Sequence, residues 1–240
     1  MAEERQLTII EHLEELRDRL IKSVIALTVT TLLSFVFAKK FLEILITPMG
    51  QTPLVSLSPT TNIVVFTKVA LISGVALSMP VLVYQLIRFI APGLTSQEKR
   101  YLFFILPGAT ISFVAGAAFA YFVMVPTTVL FLKGFLSDVS QPYWSIDRYI
   151  SFTTSYLFWL GISFETPLLM FFLAKLGIIT PAFLSRYHKY AILVIAVLAA
   201  VITPTPDPFN MILVMVPLIL LYGIGVVLTW LAYRPPDRKG

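Results

Sequence analysis

The chain has no cysteine and only 2 histidines, and charged residues fill just 13% of its 240 positions. Without cysteine there is no disulfide, no thiol nucleophile and no zinc–thiolate site. So little charge beside a hydrophobic share of 58% excludes an ordinary soluble domain. Catalytic signatures are missing too: there is no H-E-x-x-H, no G-x-S-x-G and no glycine-rich phosphate loop. His12 and His188 stand next to charged residues at the edges of apolar runs and read as interfacial polar groups rather than ligands. The sequence therefore predicts no enzyme, no metal and no cofactor. The net charge of +5 does not call for nucleic acid, because the basic residues flank apolar runs. Met1 to Lys22 is too charged for a cleavable leader, and no small-residue cleavage site follows the first apolar run.

What the sequence has in abundance is long apolar runs, and the most informative is Ile150 to Leu173. It holds one carboxylate, Glu165, in Gly161-Ile162-Ser163-Phe164-Glu165-Thr166-Pro167. Ionising a carboxylate at mid-bilayer costs roughly 2.5–3.5 kcal/mol on insertion scales, so such a residue faces protein or water. Two roles suit it: a protonated, hydrogen-bonded link between helices, or a docking point for a partner that enters the membrane. Pro167 removes a backbone donor and leaves spare acceptors beside it.

Taken in order, Thr8-Ile9-Ile10-Glu11 fits a capping box. Ile9, Leu13, Leu16 and Leu20 then recur at helical spacing. Residues 1–22 thus read as an amphipathic segment lying along the membrane face before the chain turns in. Glu11, Glu14, Glu15 and Asp18 outnumber Arg17, Arg19 and Lys22 there, an acidic patch that suits a basic partner. Glu15 and Arg19 also stand at the spacing of an intrahelical ion pair, which contributes only about 0.3–0.5 kcal/mol when exposed.

Six spans are expected. They are Ser23–Ala38, Val69–Ile87, the charge-free Tyr101–Leu132 split near Pro126, the Glu165 run, the short Ala191–Ile202, and Phe209–Tyr233 with Pro217 inside. The last two are expected to be short or bent, with a re-entrant hairpin as the alternative for that pair. Ala70, Gly74 and Ser78, and again Ser112, Gly116 and Ala120, recur every four residues as faces for close helix contact. The chain then reads as a single membrane domain. Residues 39–67 and 127–149 form external caps, 88–100 and 175–189 are cytoplasmic loops, and 234–240 is a cytoplasmic tail. Tyr143 and Trp144 are candidate interface anchors. Of the 18 Lys and Arg residues only Lys39, Lys40, Lys68, Lys133 and Arg148 fall on the external side, which puts both termini in the cytoplasm.

Five stretches in this order resemble the TatC family. They are His12-Leu13-Glu14-Glu15-Leu16-Arg17-Asp18-Arg19-Leu20, Phe89-Ile90-Ala91-Pro92-Gly93-Leu94, Glu98-Lys99-Arg100, Ala118-Phe119-Ala120-Tyr121-Phe122 and the Glu165 stretch. Each alone is loose; together, at these spacings, they are specific, and the likeness runs from about Thr8 to Tyr233. The resemblance implies an all-α, six-helix, cupped bundle in the cell inner membrane. It implies a receptor that binds twin-arginine signal peptides of folded client proteins on the cytoplasmic side and assembles with single-span TatA- and TatB-like partners, and with further copies of itself. Export would draw on the proton-motive force. Glu15 and Glu98 match the family's signal-peptide carboxylates, and Glu165 its intramembrane glutamate. Phe89, with Arg17 and Arg19, joins the signal-peptide group; Pro48 and Asp207 join the structural and assembly group. Lys99 stands where the family often has Arg, and the turn from Thr203 to Pro208 is richer in proline than usual.

Two other classes fit the composition: a secondary transporter with Glu165 as its coupling carboxylate, and a membrane scaffold with no ligand. The first would move a solute as a single component, whereas a receptor would bind a peptide. No inverted repeat relates the two halves by eye.

Overall fold

No proline and no glycine occurs between Ile9 and Ile46, and nothing there stops a helix. In the computed structural model α1 accordingly runs unbroken over Ile9–Ile46, 38 residues or about 57 Å. This corrects two expectations. The amphipathic segment does not turn before entering the membrane, and the helix passes through Lys39 and Lys40 instead of ending there. The structure describes residues 9–90, 96–135, 137–139, 143–203 and 207–233, without the side chains of 9, 90 and 96–104. Thr8 of the expected capping box lies outside the described residues.

After α1 come a 3-10 turn at Thr47–Met49, the strand β1 at Leu54–Val55, and α2 at Thr61–Ile90 with Pro80 inside it. Next are α3 at Ser96–Phe119, a π-helical segment at Ala120–Met124, and α4 at Val125–Gly134. Strand β2 at Trp144–Ser145 leads into α5 at Ile146–Ser163, followed by α6 at Thr166–Lys175, α7 at Pro181–Ile202 and α8 at Pro208–Ala232. The expected loops shrink. The 88–100 loop gives way to helix on both sides, and α4 and the start of α5 take up both ends of the 127–149 segment. The 175–189 loop narrows to the five residues between Lys175 and Pro181, because the helix ends there carry their own signals. Gly177 takes φ 71. Its N–H reaches Ala174 O at 3.0 Å and the Ile178 N–H reaches Leu173 O at 2.9 Å, the Schellman pattern that closes a helix. Thr180 then caps α7, its hydroxyl accepting from the Phe183 N–H at 3.1 Å.

Proline also explains the break in the charge-free run. Pro126 has no N–H for the carbonyl four residues back, and the Val125 N–H bonds to Ala120 O, five residues back. The split lies at Ala120–Met124, just ahead of the expected place.

Among the described residues six helical stretches are long and apolar enough to cross a bilayer: Ile10–Met49, Thr61–Phe89, Ile105–Gly134, Ile146–Lys175, Pro181–Ile202 and Pro208–Ala232. The protein is an all-α, polytopic membrane protein with six transmembrane helices. Its fifth span is not short. The apolar residues Ala191–Ile202 are the second half of a 22-residue helix whose first half carries Arg186, His188 and Lys189.

Packing divides the chain into two compact units. One comprises Met1–Ile44 and Thr60–Ile111. Within it α1 and α2 run antiparallel, in contact from His12–Phe89 at one end to Phe35–Phe66 at the other. Midway the Thr30 hydroxyl donates to Gly74 O at 2.9 Å, with Ala70, Gly74 and Ser78 all buried, as the small-residue spacing requires. The other unit comprises Leu45–Pro59 and Ser112–Gly240. There β1 pairs in parallel with β2, Leu54 opposite Trp144 and Val55 opposite Ser145. α8 packs on α6 and α7, and the Tyr222 hydroxyl donates to Leu184 O at 3.0 Å.

Candidate functional site

Residues 12, 15 and 19 of α1 share one helical stripe, and residues 85 and 89 of α2 share another. The antiparallel register brings the two together. Arg19 Nη2 donates to Glu15 Oε1 at 3.0 Å, and Arg19 Nη1 donates to Gln85 Oε1 at 3.4 Å. One turn further along, the His12 ring stacks on Phe89 with centroids 4.5 Å apart and an 18° interplanar angle. The Glu15 and Arg19 side chains are only 19% and 20% exposed, which sets this ion pair apart from an ordinary solvated one. The structure therefore forms the pair that helical spacing allows and fixes it against α2. Three expected site residues, Glu15, Arg19 and Phe89, come together here.

Arg17 does not join them. Its guanidinium pairs with the neighbouring Asp18 at 3.1 Å, with the two side chains 67% and 55% exposed. Glu98 is on α3 within its first turn, not in a loop; no glycine or proline follows until Pro107, and an acid suits a helix N-terminus. Its side chain is outside the description.

Glu165 sits where the fourth span is broken. α5 ends at Ser163 and α6 begins at Thr166, with Pro167 in the first turn. The Phe164 N–H still reaches Leu160 O and the Glu165 N–H reaches Ile162 O, each at 3.0 Å, and so the chain bends without leaving the helical path. Glu165 lies about 15 Å along the axis from Lys175, roughly half the hydrocarbon thickness. The side chain is half-buried, and its Oε1 is buried with no hydrogen-bond partner among the described residues. A buried acceptor in this state has free capacity for a donor from outside the chain.

Pro48 lies in the 3-10 turn that follows α1. That turn is held at both ends: the Tyr149 hydroxyl donates to Leu45 O at 2.9 Å, and Lys133 Nζ donates to Met49 O at 2.7 Å. Asp207 caps α8, its Oδ1 accepting from the Asn210 N–H at 2.7 Å and its Oδ2 from Asn210 Nδ2 at 2.8 Å.

Sequence reasoning missed Gln85 altogether and passed over His12 as a boundary residue. Gln85 did leave a signal: it is the one side-chain amide between Lys68 and Arg88, in a stretch with no charge. Nothing in the sequence pairs it with Arg19, 66 residues away.

These features define a class: a six-span membrane protein whose polar groups sit on helix faces and at a helix break. The TatC family, described as Sec-independent protein translocase protein (TatC), matches residues 11–217. The TatC of Aquifex aeolicus is 41% identical over 230 residues, covering 93% of this chain and 95% of that protein. The TatC of Deinococcus radiodurans is 38% identical, covering 91% and 84%. A crystal structure of a twin-arginine translocase receptor TatC superposes with a TM-score of 0.85 at 41% identity, covering 93% of this chain and all of that one. The chain belongs to the TatC family. Its relatives are components of a Sec-independent protein translocase, which is a transport role and not a catalytic one.

Proposed function

We propose that this protein is the receptor subunit of a twin-arginine translocase. It binds the twin-arginine signal peptides of folded client proteins at its cytoplasmic face, and it works with single-span TatA- and TatB-like partners to export those clients on the proton-motive force. The observation that carries this reading is the Glu15–Arg19–Gln85 contact beside His12 and Phe89. Glu15 is a carboxylate on a rigid helix that already holds a guanidinium in a part-buried setting. A guanidinium's planar fork of donors suits a carboxylate better than an ammonium does. Glu98, on the first turn of α3, supplies a second carboxylate on another rigid element, as a ligand with two arginines requires.

The excess of basic residues on one set of connections supports an orientation with both termini, the α2–α3 connection and the α6–α7 connection in the cytoplasm. The α1–α2 and α4–α5 connections then face outward, and the membrane is the cell inner membrane. Glu165, with its unpartnered buried oxygen at a helix break, is the docking point for a partner's transmembrane segment. Pro48 and Asp207 hold the two outward-facing turns on which that assembly depends.

The test is direct. The purified chain in lipid nanodiscs binds a twin-arginine peptide, and a twin-lysine version binds more weakly. Proteoliposomes that move a monovalent cation while the chain ignores both peptides would favour the transporter reading instead.

A further inference from the structure

We infer that Arg19 is the resident occupant of the seat on Glu15, and that a ligand's arginine enters by displacing it. Arg19 thereby sets the affinity of the site. The inference rests on the receptor reading above and adds to it a competitor built into the chain.

Three observations carry it. The first is chemical identity: the group lodged on Glu15 is a guanidinium, the same group that a twin-arginine ligand presents. Glu15 Oε1 accepts from Arg19 Nη2, and a ligand's guanidinium set in that same place would have to take over this bond. The second is that the incumbent fits imperfectly. Its contact with Gln85, at 3.4 Å, is at the long limit of a hydrogen bond, and its Nε–H is buried with no acceptor among the described residues. A guanidinium arriving on an extended peptide is free to approach Glu15 from another direction, with its own Nε–H left facing water or a second acceptor. The third is location. Arg19 is four residues from Glu15 on one helix, so it returns whenever the seat empties; Arg17, two residues away, is committed to Asp18 and exposed.

The thermodynamic consequence is specific. If only the fraction of molecules with Arg19 swung away can accept a ligand, every ligand of this seat loses affinity by that same fraction. Arginine and lysine ligands are affected equally, and their ratio does not change. The effect of removing Arg19 therefore has a signature. A direct contact between Arg19 and the peptide would give weaker binding on removal. A diffuse charge effect would give the same gain from removing any nearby cation, and Lys22, exposed one turn further along α1, provides that comparison.

The experiment uses the full chain in lipid nanodiscs, with synthetic twin-arginine and twin-lysine peptides. Arg19→Ala is expected to bind the twin-arginine peptide about fivefold more tightly, the size set by a part-buried helical ion pair with one extra hydrogen bond. The twin-lysine peptide gains by the same factor. Arg19→Gln, which keeps a polar side chain beside Gln85 and so preserves the packing of the helix pair, gives a gain in the same direction, and Arg19→Lys gives a smaller one. Lys22→Ala stays within about twofold of the wild type by the exposed-charge comparison. In a Glu15→Ala background, adding Arg19→Ala brings no gain, since the seat itself is gone. Unchanged or weaker peptide binding in both Arg19→Ala and Arg19→Gln overturns the inference, as does an equal gain in Lys22→Ala. If Glu15→Ala alone leaves peptide binding unaltered, the receptor reading of this carboxylate fails and the inference falls with it; the two failures are read from different variants.

Discussion

The hydroxyl of Tyr149 on α5 donates to the carbonyl of Leu45 at 2.9 Å, tying the end of α1 to a helix that begins a hundred residues later. Leu45 O is among the last carbonyls of α1, which have no helical partner of their own. Tyr149 is 2% exposed and Leu45 is 7% exposed, so no water replaces the bond. Tyr149→Phe keeps the ring and strands the acceptor, and is expected to cost about 1–3 kcal/mol. Thermal unfolding in detergent reads the difference; a melting point equal to the wild type would show that the turn holding Pro48 does not depend on this bond.

Glu15 and Glu98 are expected to act together on a twin-arginine ligand. Truncating one member of a desolvated charge pair at an interface costs roughly 2–5 kcal/mol. Glu15→Ala and Glu98→Ala should each weaken binding of a twin-arginine peptide by at least about tenfold without unfolding the chain. Calorimetric titration of both variants settles it, and values within about twofold of the wild type in both would remove the assignment.

At Glu165 the expected loss is of assembly, not of fold. Polar contacts between helices in bilayers average about 0.6 kcal/mol and reach roughly 1.7, so the effect on stability is small. Glu165→Gln keeps an acceptor and should retain most docking. Glu165→Ala should stay inserted but lose cross-linking to a single-span partner. Failure of Glu165→Ala to insert at all would mean that the residue serves the fold alone.

Gly116 and Gly223 provide a contrast in packing. A Cβ added at Gly116 would stand 2.6 Å from Leu160 O and 2.9 Å from Gly161 Cα, both backbone atoms that cannot rotate away. A Cβ at Gly223 would meet nothing within 4 Å. Gly116→Ala is therefore expected to destabilise by about 1–3 kcal/mol, as overpacking does, while Gly223→Ala is neutral or mildly favourable to the helix. Thermal stability of the two single variants decides the matter, and equal values would show that α3 and α5 separate freely.

The absence of native cysteine makes sidedness simple to measure. Ser56, on the α1–α2 connection, and Ser185, in the second turn of α7, are both exposed and lie at ends of the spans expected to face opposite sides. An impermeant thiol reagent applied from outside the cell should label Ser56→Cys and spare Ser185→Cys. The reverse pattern would invert the topology.

Sequence alone was enough to define the number of spans, the carboxylate deep within the fourth of them, and the stripes of small residues where α2 meets α1 and α3 meets α5. These are local properties: apolar length, charge bias and four-residue spacing act on the chain wherever it sits, because the bilayer imposes them. The helix ends were less legible. α1 runs past both expected boundaries, since charged residues at its ends do not interrupt backbone hydrogen bonding. Glu98 falls on a helix for the same reason. Only the tertiary structure decided that Arg19 joins Glu15 to Gln85, that His12 covers Phe89, and that β1 pairs with β2. Those partners depend on the register between elements far apart in the chain, and that register comes from contacts such as Thr30 against Gly74, which no single segment encodes.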